Sequence, residues 1–151
     1  RVAEKVEVDP LYRYIMDAEH PNPDPTTSDA IAAAAGRVSD TVSAKLIATY
    51  TTSGSTALRA ARERPSVPIL VLTPIKKTAR RLTISWGLHC VETEDAHSMQ
   101  DMVSRACDLA RAEGLVKIGQ RIIITAGVPF GTPGTTNVFR IAKITKTGFY
   151  K

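Results

Sequence analysis

The fold is indicated most clearly by one stretch, Leu46-Ile47-Ala48-Thr49-Tyr50-Thr51-Thr52-Ser53-Gly54-Ser55-Thr56. Its first half, residues 46–50, predicts a short buried strand. The second half is small and polar, which predicts a turn. A helix is predicted at residues 57–64, and Pro65 ends it. A strand that leads through a polar turn into a helix is typical of the repeating unit of an α/β sheet.

The same alternation is visible on both sides of this stretch. Before it, residues 26–29 predict the cap of a helix whose apolar positions continue to Val42. After it, strands are predicted at residues 67–72, 88–91, 122–126 and 138–144, and helices at residues 76–86 and from Ser98 to Gly114. Ser98 and Asp101 are expected to cap the last of these helices.

Strands that alternate with helices predict an α/β fold. We expect an open three-layer sheet of about five strands, mostly parallel, with helices on both faces. The last connection differs, because the loop at residues 127–136 leaves no room for a crossover helix. The fifth strand should therefore run antiparallel to the fourth. It would lie at the sheet edge if it pairs only with that strand.

The first 25 residues differ in character from the rest. Pro10 interrupts a short amphipathic pattern, and the run His20-Pro21-Asn22-Pro23-Asp24-Pro25 predicts a stiff, extended connector. We therefore predict that residues 1–25 are the tail of a preceding element plus a linker, and that residues 26–151 form one domain. The first residue is Arg1 rather than methionine, so we expect a fragment or a processed chain.

Composition narrows the classes of function. The chain has 151 residues, 43% of them hydrophobic, and a net charge of +5 that comes from scattered basic residues. Aromatic residues are only 5%, too few for a surface on which bases stack, so no nucleic-acid partner is expected. No apolar run approaches a membrane span, so no membrane partner is expected either. Two cysteines make no disulfide framework, and a reducing cytoplasm is the expected location.

The first candidate site is the cradle, which we define as residues 51–56: Thr51, Thr52, Ser53, Gly54, Ser55 and Thr56. It follows a strand and opens a helix, the position at which open α/β sheets bind ligands. A helix start offers free backbone N–H groups to an anion, and five hydroxyls add further donors. The cradle therefore predicts a phosphate site, although it lacks the spacing and the lysine of a Walker loop. The alternative is a Ser/Thr-rich turn that only caps a helix.

The second candidate is the glycine-rich loop, which we define as residues 127–137. Three glycines and two prolines give it an unusual backbone path, and such a loop can wrap over a ligand with its N–H groups inward. The alternative is a structural hairpin loop. In a sheet of this order the loop is able to reach the cradle.

No catalytic or metal site is predicted. His20, His89 and His97 show no spacing typical of metal ligands. The two cysteines are interpreted as small buried hydrophobic residues. Trp86 follows an amphipathic helix and is interpreted as a core residue rather than a ligand platform.

Several motifs together resemble the C-terminal domain of pyruvate kinases. They occur in the order and at the spacings of that family: Pro25–Ala32, Thr52–Ala57, Arg64-Pro65 with Pro68-Ile69, Arg80-Arg81-Leu82 with Trp86-Gly87, Gly119–Gly127, and Gly131–Asn137. The resemblance covers residues 26–144. Residues 1–8 are also similar to the end of the last helix of the family's catalytic barrel.

The resemblance implies a glycolytic parent enzyme that transfers phosphoryl from phosphoenolpyruvate to ADP with Mg²⁺ or Mn²⁺ and K⁺. That active site lies in a (β/α)₈ barrel beside a small lid domain, so this chain by itself is expected to hold no cofactor and to be inactive. The C-terminal domain would contribute to a homotetramer and would carry the effector site. The cradle would hold an effector phosphate, and these loop residues would close over it: Pro129, Gly131, Thr132, Pro133, Gly134 and Thr135.

The effector class can be narrowed by charge. In relatives activated by fructose 1,6-bisphosphate, an arginine near the start of the long helix meets the second phosphate, and its position falls here at Met102. Residues 92–101 contain four acids and no lysine or arginine. Arg105, about one turn further on, would be only a partial substitute. We therefore expect a sugar monophosphate or a nucleotide monophosphate. The rival interpretations are a purely structural oligomerisation module and a free-standing enzyme that uses the cradle.

Overall fold

The computed structural model describes residues 2–18, 22–132 and 134–146. Six helices and five strands occur there. They are α1 (Val2–Glu7), α2 (Pro10–Ala18), α3 (Thr27–Thr41), β1 (Ile47–Tyr50), α4 (Ser55–Arg62), β2 (Ile69–Thr73), α5 (Lys76–Leu82), β3 (Leu88–Glu92), α6 (Met99–Ala112), β4 (Arg121–Ala126) and β5 (Val138–Lys143). None of the helices in these ranges is long and apolar enough to cross a bilayer.

The five strands form one sheet in the order β3-β2-β1-β4-β5. Four of them are parallel, and β5 pairs antiparallel with β4. The predicted α/β class and the antiparallel last strand are both confirmed. Because β1 pairs in parallel with β4, the carboxyl ends of these two strands lie side by side. The cradle follows β1 and the glycine-rich loop follows β4, so the topology brings both candidate sites to the same place.

Alternate residues of the central strands face two separate cores, since successive side chains of a strand point to opposite faces. On one face, Ala48 and Tyr50 pack with α6 residues such as Met102. On the other, Ile47 and Val71 pack with residues of α3, α4 and α5. The sheet therefore lies between two helical layers, and β1 and β2 are buried along their whole length.

Both predicted helix caps are present. The Thr26 hydroxyl accepts a hydrogen bond from the backbone N–H of Asp29 at the start of α3. At the start of α6, the Ser98 hydroxyl accepts from the N–H of Asp101 at 3.1 Å. The Asp101 carboxylate in turn accepts from the N–H of His97 at 3.0 Å. These short-range contacts follow directly from the spacing of the residues.

Two predicted helix bounds are wrong in ways that matter for the site. Helix α4 begins at Ser55 rather than at residue 57, so the last two cradle residues form its first turn. Helix α5 ends at Leu82 rather than at Trp86, because the chain enters a turn there, in which the N–H of Ser85 donates to the carbonyl of Leu82 at 2.9 Å.

The interpretation of Trp86 as a core residue is also wrong. Its side chain is half-buried, and its indole N–H donates to Glu7 of α1 at 2.8 Å. The guanidinium of Arg64 lies 4.6 Å from the ring centre. Of the other residues singled out in the sequence, His20 lies outside the described residues.

Candidate functional site

The cradle is a turn whose shape is held from within. The N–H of Gly54 donates to the Thr51 hydroxyl at 2.9 Å, and Gly54 has a left-handed φ of +92° that favours glycine. Gly54 is the N-cap of α4, and no side chain caps this helix. In the first turn, the N–H of Ser55 makes a long hydrogen bond of 3.4 Å to the Ser53 hydroxyl. The positive end of the helix dipole points to the same place.

Hydroxyl groups surround these amides. Ser53 is exposed and donates to the hydroxyl of half-buried Ser55 at 3.1 Å. Thr56 is 8% exposed, and its hydroxyl lies at the inner end of the cradle. A small anion at the start of α4 would thus meet backbone N–H and hydroxyl donors together.

Two side chains of helix α5 donate hydrogen bonds to backbone carbonyls of the cradle. The Thr78 hydroxyl donates to the carbonyl of Thr52 at 3.0 Å, and the Arg81 guanidinium donates to the carbonyl of Ser53. Arg81 brings a positive charge next to the candidate phosphate site. No local sequence pattern connects this arginine with the cradle, because 28 residues separate it from Ser53.

The glycine-rich loop reaches the cradle through Thr136. The hydroxyls of Thr136 and Thr56 lie 2.7 Å apart, and the Thr136 N–H donates to the Ser28 hydroxyl at 3.2 Å. Thr136 is 3% exposed, so this junction is buried. The loop, the cradle and the first turn of α3 therefore meet at Thr136, a residue of the glycine-rich loop that the family resemblance does not place against the ligand.

The base of the loop is tightly constrained. The Asn137 side chain accepts from the N–H of Val128 at 2.8 Å and donates to the carbonyl of Val128 at 2.6 Å. A Cβ atom at Gly127 would lie 1.8 Å from the carbonyl oxygen of Thr135. Only glycine fits there, so the close approach of the two ends of the loop depends on Gly127.

A small cleft of about 40 Å³ separates the cradle from the loop. The residues that line it are Tyr50, Thr51, Thr52, Ser53, Ser55, Thr56, Asp95, Ala126, Gly127, Phe130, Gly131, Gly134 and Thr135. Gly54 lies behind this surface, and Pro129 and Thr132 belong to the loop without lining the cleft. Pro133 lies outside the described residues.

One acid faces the cleft. Asp95 is half-buried, and its Oδ1 accepts from the N–H of Ala96 at 2.9 Å. Arg105, the sequence candidate for a second phosphate, does not line the cleft. Its guanidinium instead lies 3.2 Å from the Asp101 carboxylate and 3.8 Å from Glu94. The charge at this end of the cleft is therefore negative.

Tyr50 closes the floor of the cleft as a neutral donor. Its phenol donates to the carbonyl of Met102 at 2.8 Å. Burial, with the nearby Asp101 and Asp95 carboxylates adding to it, raises the pKa of the Tyr50 phenol well above its usual range. The hydroxyl stays protonated at neutral pH and carries no charge that a ligand would have to oppose.

A buried acid joins α3 to α4 behind the cradle. Asp29 is 2% exposed, and its Oδ1 lies 2.6 Å from Arg62 and 3.2 Å from Arg59. The Thr26 hydroxyl also donates to this carboxylate. That hydrogen bond, together with the two arginines, lowers the pKa of Asp29 against the opposing effect of desolvation. In the sequence, Asp29 is only the last of the residues that predict the cap of α3.

Other reactive groups take no part in the cleft. Burial raises the pKa of Cys107 to about 12 and raises the pKa of Cys90 as well, so neither thiol is a ready nucleophile at neutral pH. His89 pairs with Glu113 at 2.7 Å, away from the cradle. In the part of the chain that the structure describes, no three His, Cys, Asp or Glu side chains come together as a metal-binding group.

Comparison with known proteins connects this geometry to one family. A family model described as the pyruvate kinase alpha/beta domain matches residues 29–142. The pyruvate kinase of Methylorubrum extorquens is 51% identical over 146 residues, which is 97% of this chain and 30% of that protein. A pyruvate kinase of Agrobacterium vitis is 36% identical over 147 residues, again 97% of this chain and 30% of the relative.

Solved structures agree. The pyruvate kinase of Cryptosporidium parvum in complex with ADP superposes with a TM-score of 0.75 at 31% identity, over 89% of this chain and 27% of that one. This chain thus spans about a third of the length of the proteins that it matches. The expected membership is confirmed by the family model and by these relatives. The chain belongs to the family of pyruvate kinase α/β domains.

Proposed function

We propose that this chain is the regulatory domain of a pyruvate kinase and that the cradle binds the phosphate of a metabolite effector. The parent enzyme would transfer phosphoryl from phosphoenolpyruvate to ADP in a catalytic barrel, with Mg²⁺ or Mn²⁺ and K⁺ bound there. As a glycolytic enzyme it would act in the cytoplasm. The relatives that carry this name are about three times as long as this chain, and they support the proposal for the parent enzyme.

The observation that carries the proposal is the convergence of three elements on one cleft. The first turn of α4 has no side-chain cap, hydroxyls surround it, and the glycine-rich loop approaches it through Thr136. A phosphate placed there would accept hydrogen bonds from several amides and hydroxyls at once. Gly131, Gly134 and Thr135 would then contact the rest of the ligand.

The charge of the cleft supports a monophosphate. Its cradle end favours an anion, whereas Asp95 at the other end repels one. Arg105 would have to leave Asp101 and Glu94 before it could neutralise a second phosphate. The volume of about 40 Å³ suits one small group, so the sugar or nucleoside would extend past the loop towards solvent.

Calorimetry on the chain tests the proposal. We expect ribose 5-phosphate, glucose 6-phosphate or AMP to bind more tightly than fructose 1,6-bisphosphate. Asp95→Asn should raise the affinity for the bisphosphate relative to the monophosphates, because it removes the repelling charge. Glu92→Gln, at an exposed acid of β3 that does not line the cleft, is the matched control. Failure of every phosphorylated ligand to bind would contradict effector binding.

The edge strand favours a second role in assembly. One side of β5 has no partner strand within the described residues, and such an edge is a template for pairing with another chain. We expect the domain to self-associate through β5 and, joined to its barrel, to contribute to a homotetramer. A strict monomer at high concentration in sedimentation would contradict this. Self-association without any phosphate binding would favour the purely structural module.

The isolated chain should not catalyse the reaction. Phosphoryl transfer needs metals and cations around the moving group, and the described residues hold no group of three potential metal ligands. Turnover in a coupled assay of pyruvate release would contradict this expectation and favour a free-standing enzyme.

A further inference from the structure

One side chain of the cleft differs in chemistry from the others that line it. The cradle and the loop contribute hydroxyls, which both donate and accept hydrogen bonds, and the phenol of Tyr50 donates to the carbonyl of Met102. Asp95 is the one charged side chain among the lining residues that the structure describes. Because a carboxylate only accepts hydrogen bonds, this end of the cleft is an acceptor site.

The Asp95 carboxylate can accept more hydrogen bonds than it receives. Its Oδ1 accepts from the N–H of Ala96 at 2.9 Å. Within residues 2–18, 22–132 and 134–146, its Oδ2 has no hydrogen-bond donor and the carboxylate has no cationic partner. A carboxylate offers about four acceptor positions, so a donor group of a ligand would find acceptor positions open at Asp95.

Arg105 does not neutralise Asp95. Its guanidinium lies 3.2 Å from the carboxylate of Asp101 and 3.8 Å from that of Glu94, which keep the cation at two other acids. Burial raises the pKa of the Tyr50 phenol, and the negative charge of Asp95 adds to this effect. The charge of Asp95 therefore acts on the floor of the cleft and not only on solvent.

The protein itself holds Asp95 in position. Ala96, which donates to its Oδ1, is 1% exposed and packs in the core on that face of the sheet. Two residues before Asp95, the N–H of Thr93 donates to the carbonyl of Thr73 at 3.0 Å. Because the segment is held on both sides, a contact with Asp95 would cost a ligand little ordering of the protein.

We propose that the cleft selects a monophosphate whose other end carries a hydrogen-bond donor, an ammonium group in preference to a hydroxyl, and that Asp95 recognises this donor. The proposal rests on the proposed function, because the phosphate has to lie at the cradle. The two ends of such a ligand match the two ends of the cleft in charge. An amino sugar phosphate belongs to this class, whereas the phosphate of a sugar acid brings a second negative charge against Asp95.

Calorimetry with three sugar phosphates tests the selection. Glucosamine 6-phosphate and glucose 6-phosphate differ at a single group, an ammonium in place of a hydroxyl, and 6-phosphogluconate carries a carboxylate. In mildly acidic buffer, in which the amine of the ligand is protonated, we expect glucosamine 6-phosphate to bind about fivefold more tightly than glucose 6-phosphate, the upper end for a partly exposed ion pair. The sugar acid should bind most weakly.

Two variants assign the preference to one residue. Asp95→Asn should reduce it to less than about twofold, because the amide oxygen can still accept from the N–H of Ala96 but the charge is lost. Glu92→Gln removes an exposed acid that does not line the cleft and should keep the preference. Equal affinities of the unmodified chain for the amine and the hydroxyl ligand would overturn the inference and leave the proposed function in place. A preference that persists in Asp95→Asn would overturn it as well, and failure of all three ligands to bind would overturn both.

The salt dependence of the same ratio needs no variant, so it also decides the matter if Asp95→Asn does not fold. Salt weakens the phosphate contact of both sugar ligands, and their affinity ratio isolates the end of the cleft at Asp95. The ratio should fall towards one as sodium chloride is raised to about 1 M, where the Debye length is only about 3 Å. A fivefold ratio that does not change with salt would contradict recognition by charge.

Discussion

The first turns of α4 and α6 have opposite chemistry. At α6 the Ser98 hydroxyl and the Asp101 carboxylate accept from backbone amides of the same turn. At α4 the N-cap is Gly54, which has no side chain, and the amides face a cleft lined with hydroxyls. A helix start that is satisfied by its own residues contributes stability, whereas one left open can bind an anion. The difference separates a structural terminus from a candidate binding site.

The largest expected effect is a loss of unfolding free energy, compared between the buried Asp29 behind α4 and the half-buried Asp101 of α6. Asp29→Asn should lower the free energy of unfolding by about 2–3 kcal/mol, since it leaves two arginines without their buried partner, although both arginines still reach solvent. Asp101→Asn should cost only about 1 kcal/mol. Urea unfolding of both variants measures this. Equal losses would show that the Asp29 pairing does not anchor α4.

The second prediction concerns the open cap itself. Gly54→Ala should lower the free energy of unfolding by about 2 kcal/mol, because it combines a left-handed φ with contacts of 3.2 Å to Arg81 and Leu82. Gly87→Ala is the matched control, since Gly87 has a φ of +71° and open space around its Cβ position. It should cost about 1 kcal/mol. If both variants lose the same unfolding free energy, the close contacts of position 54 with Arg81 and Leu82 do not add to the cost of the substitution.

The third prediction separates stability from binding. Ser98→Ala should cost about 1 kcal/mol of unfolding free energy and leave phosphate affinity unchanged. Ser55→Ala should change stability by less than about 0.5 kcal/mol. It should weaken phosphate binding about 3- to 10-fold, the value of one neutral hydrogen bond. Thermal melts measure the change in stability of each variant, and calorimetry measures the change in its phosphate affinity. The reverse pattern would assign the cap role to the cradle.

The smallest expected effect is a loss of unfolding free energy that appears only at acidic pH. The pKa of Asp29 and the pKa of Asp101 are both lowered in the folded state, so each carboxylate stabilises the fold fully above its unfolded pKa of about 3.9. Unfolding free energy should fall as pH drops below that value towards the lowered folded pKa. Urea melts between neutral and acid pH should show a shallower loss in Asp29→Asn. An unchanged slope in that variant would contradict the assignment.

Much of this protein follows from short-range sequence patterns. The alternation of strands and helices, the antiparallel last strand and the caps at Thr26 and Ser98 were all predictable. Each depends on residues a few positions apart, or on a loop too short for a helix. The cradle is visible in the sequence as a candidate for the same reason, since its hydroxyls and glycine are contiguous.

Only the tertiary structure decided what surrounds the cradle. Thr136 meets Thr56 across 80 residues, Arg62 meets Asp29 across 33, and Trp86 meets Glu7 across 79. These contacts depend on the strand order, which places β4 beside β1 and aligns their carboxyl ends. Local patterns determine which segments become strands and helices. Their order in the sheet is set by how all the buried surfaces pack together, so contacts between distant residues appear only when the whole fold is assembled.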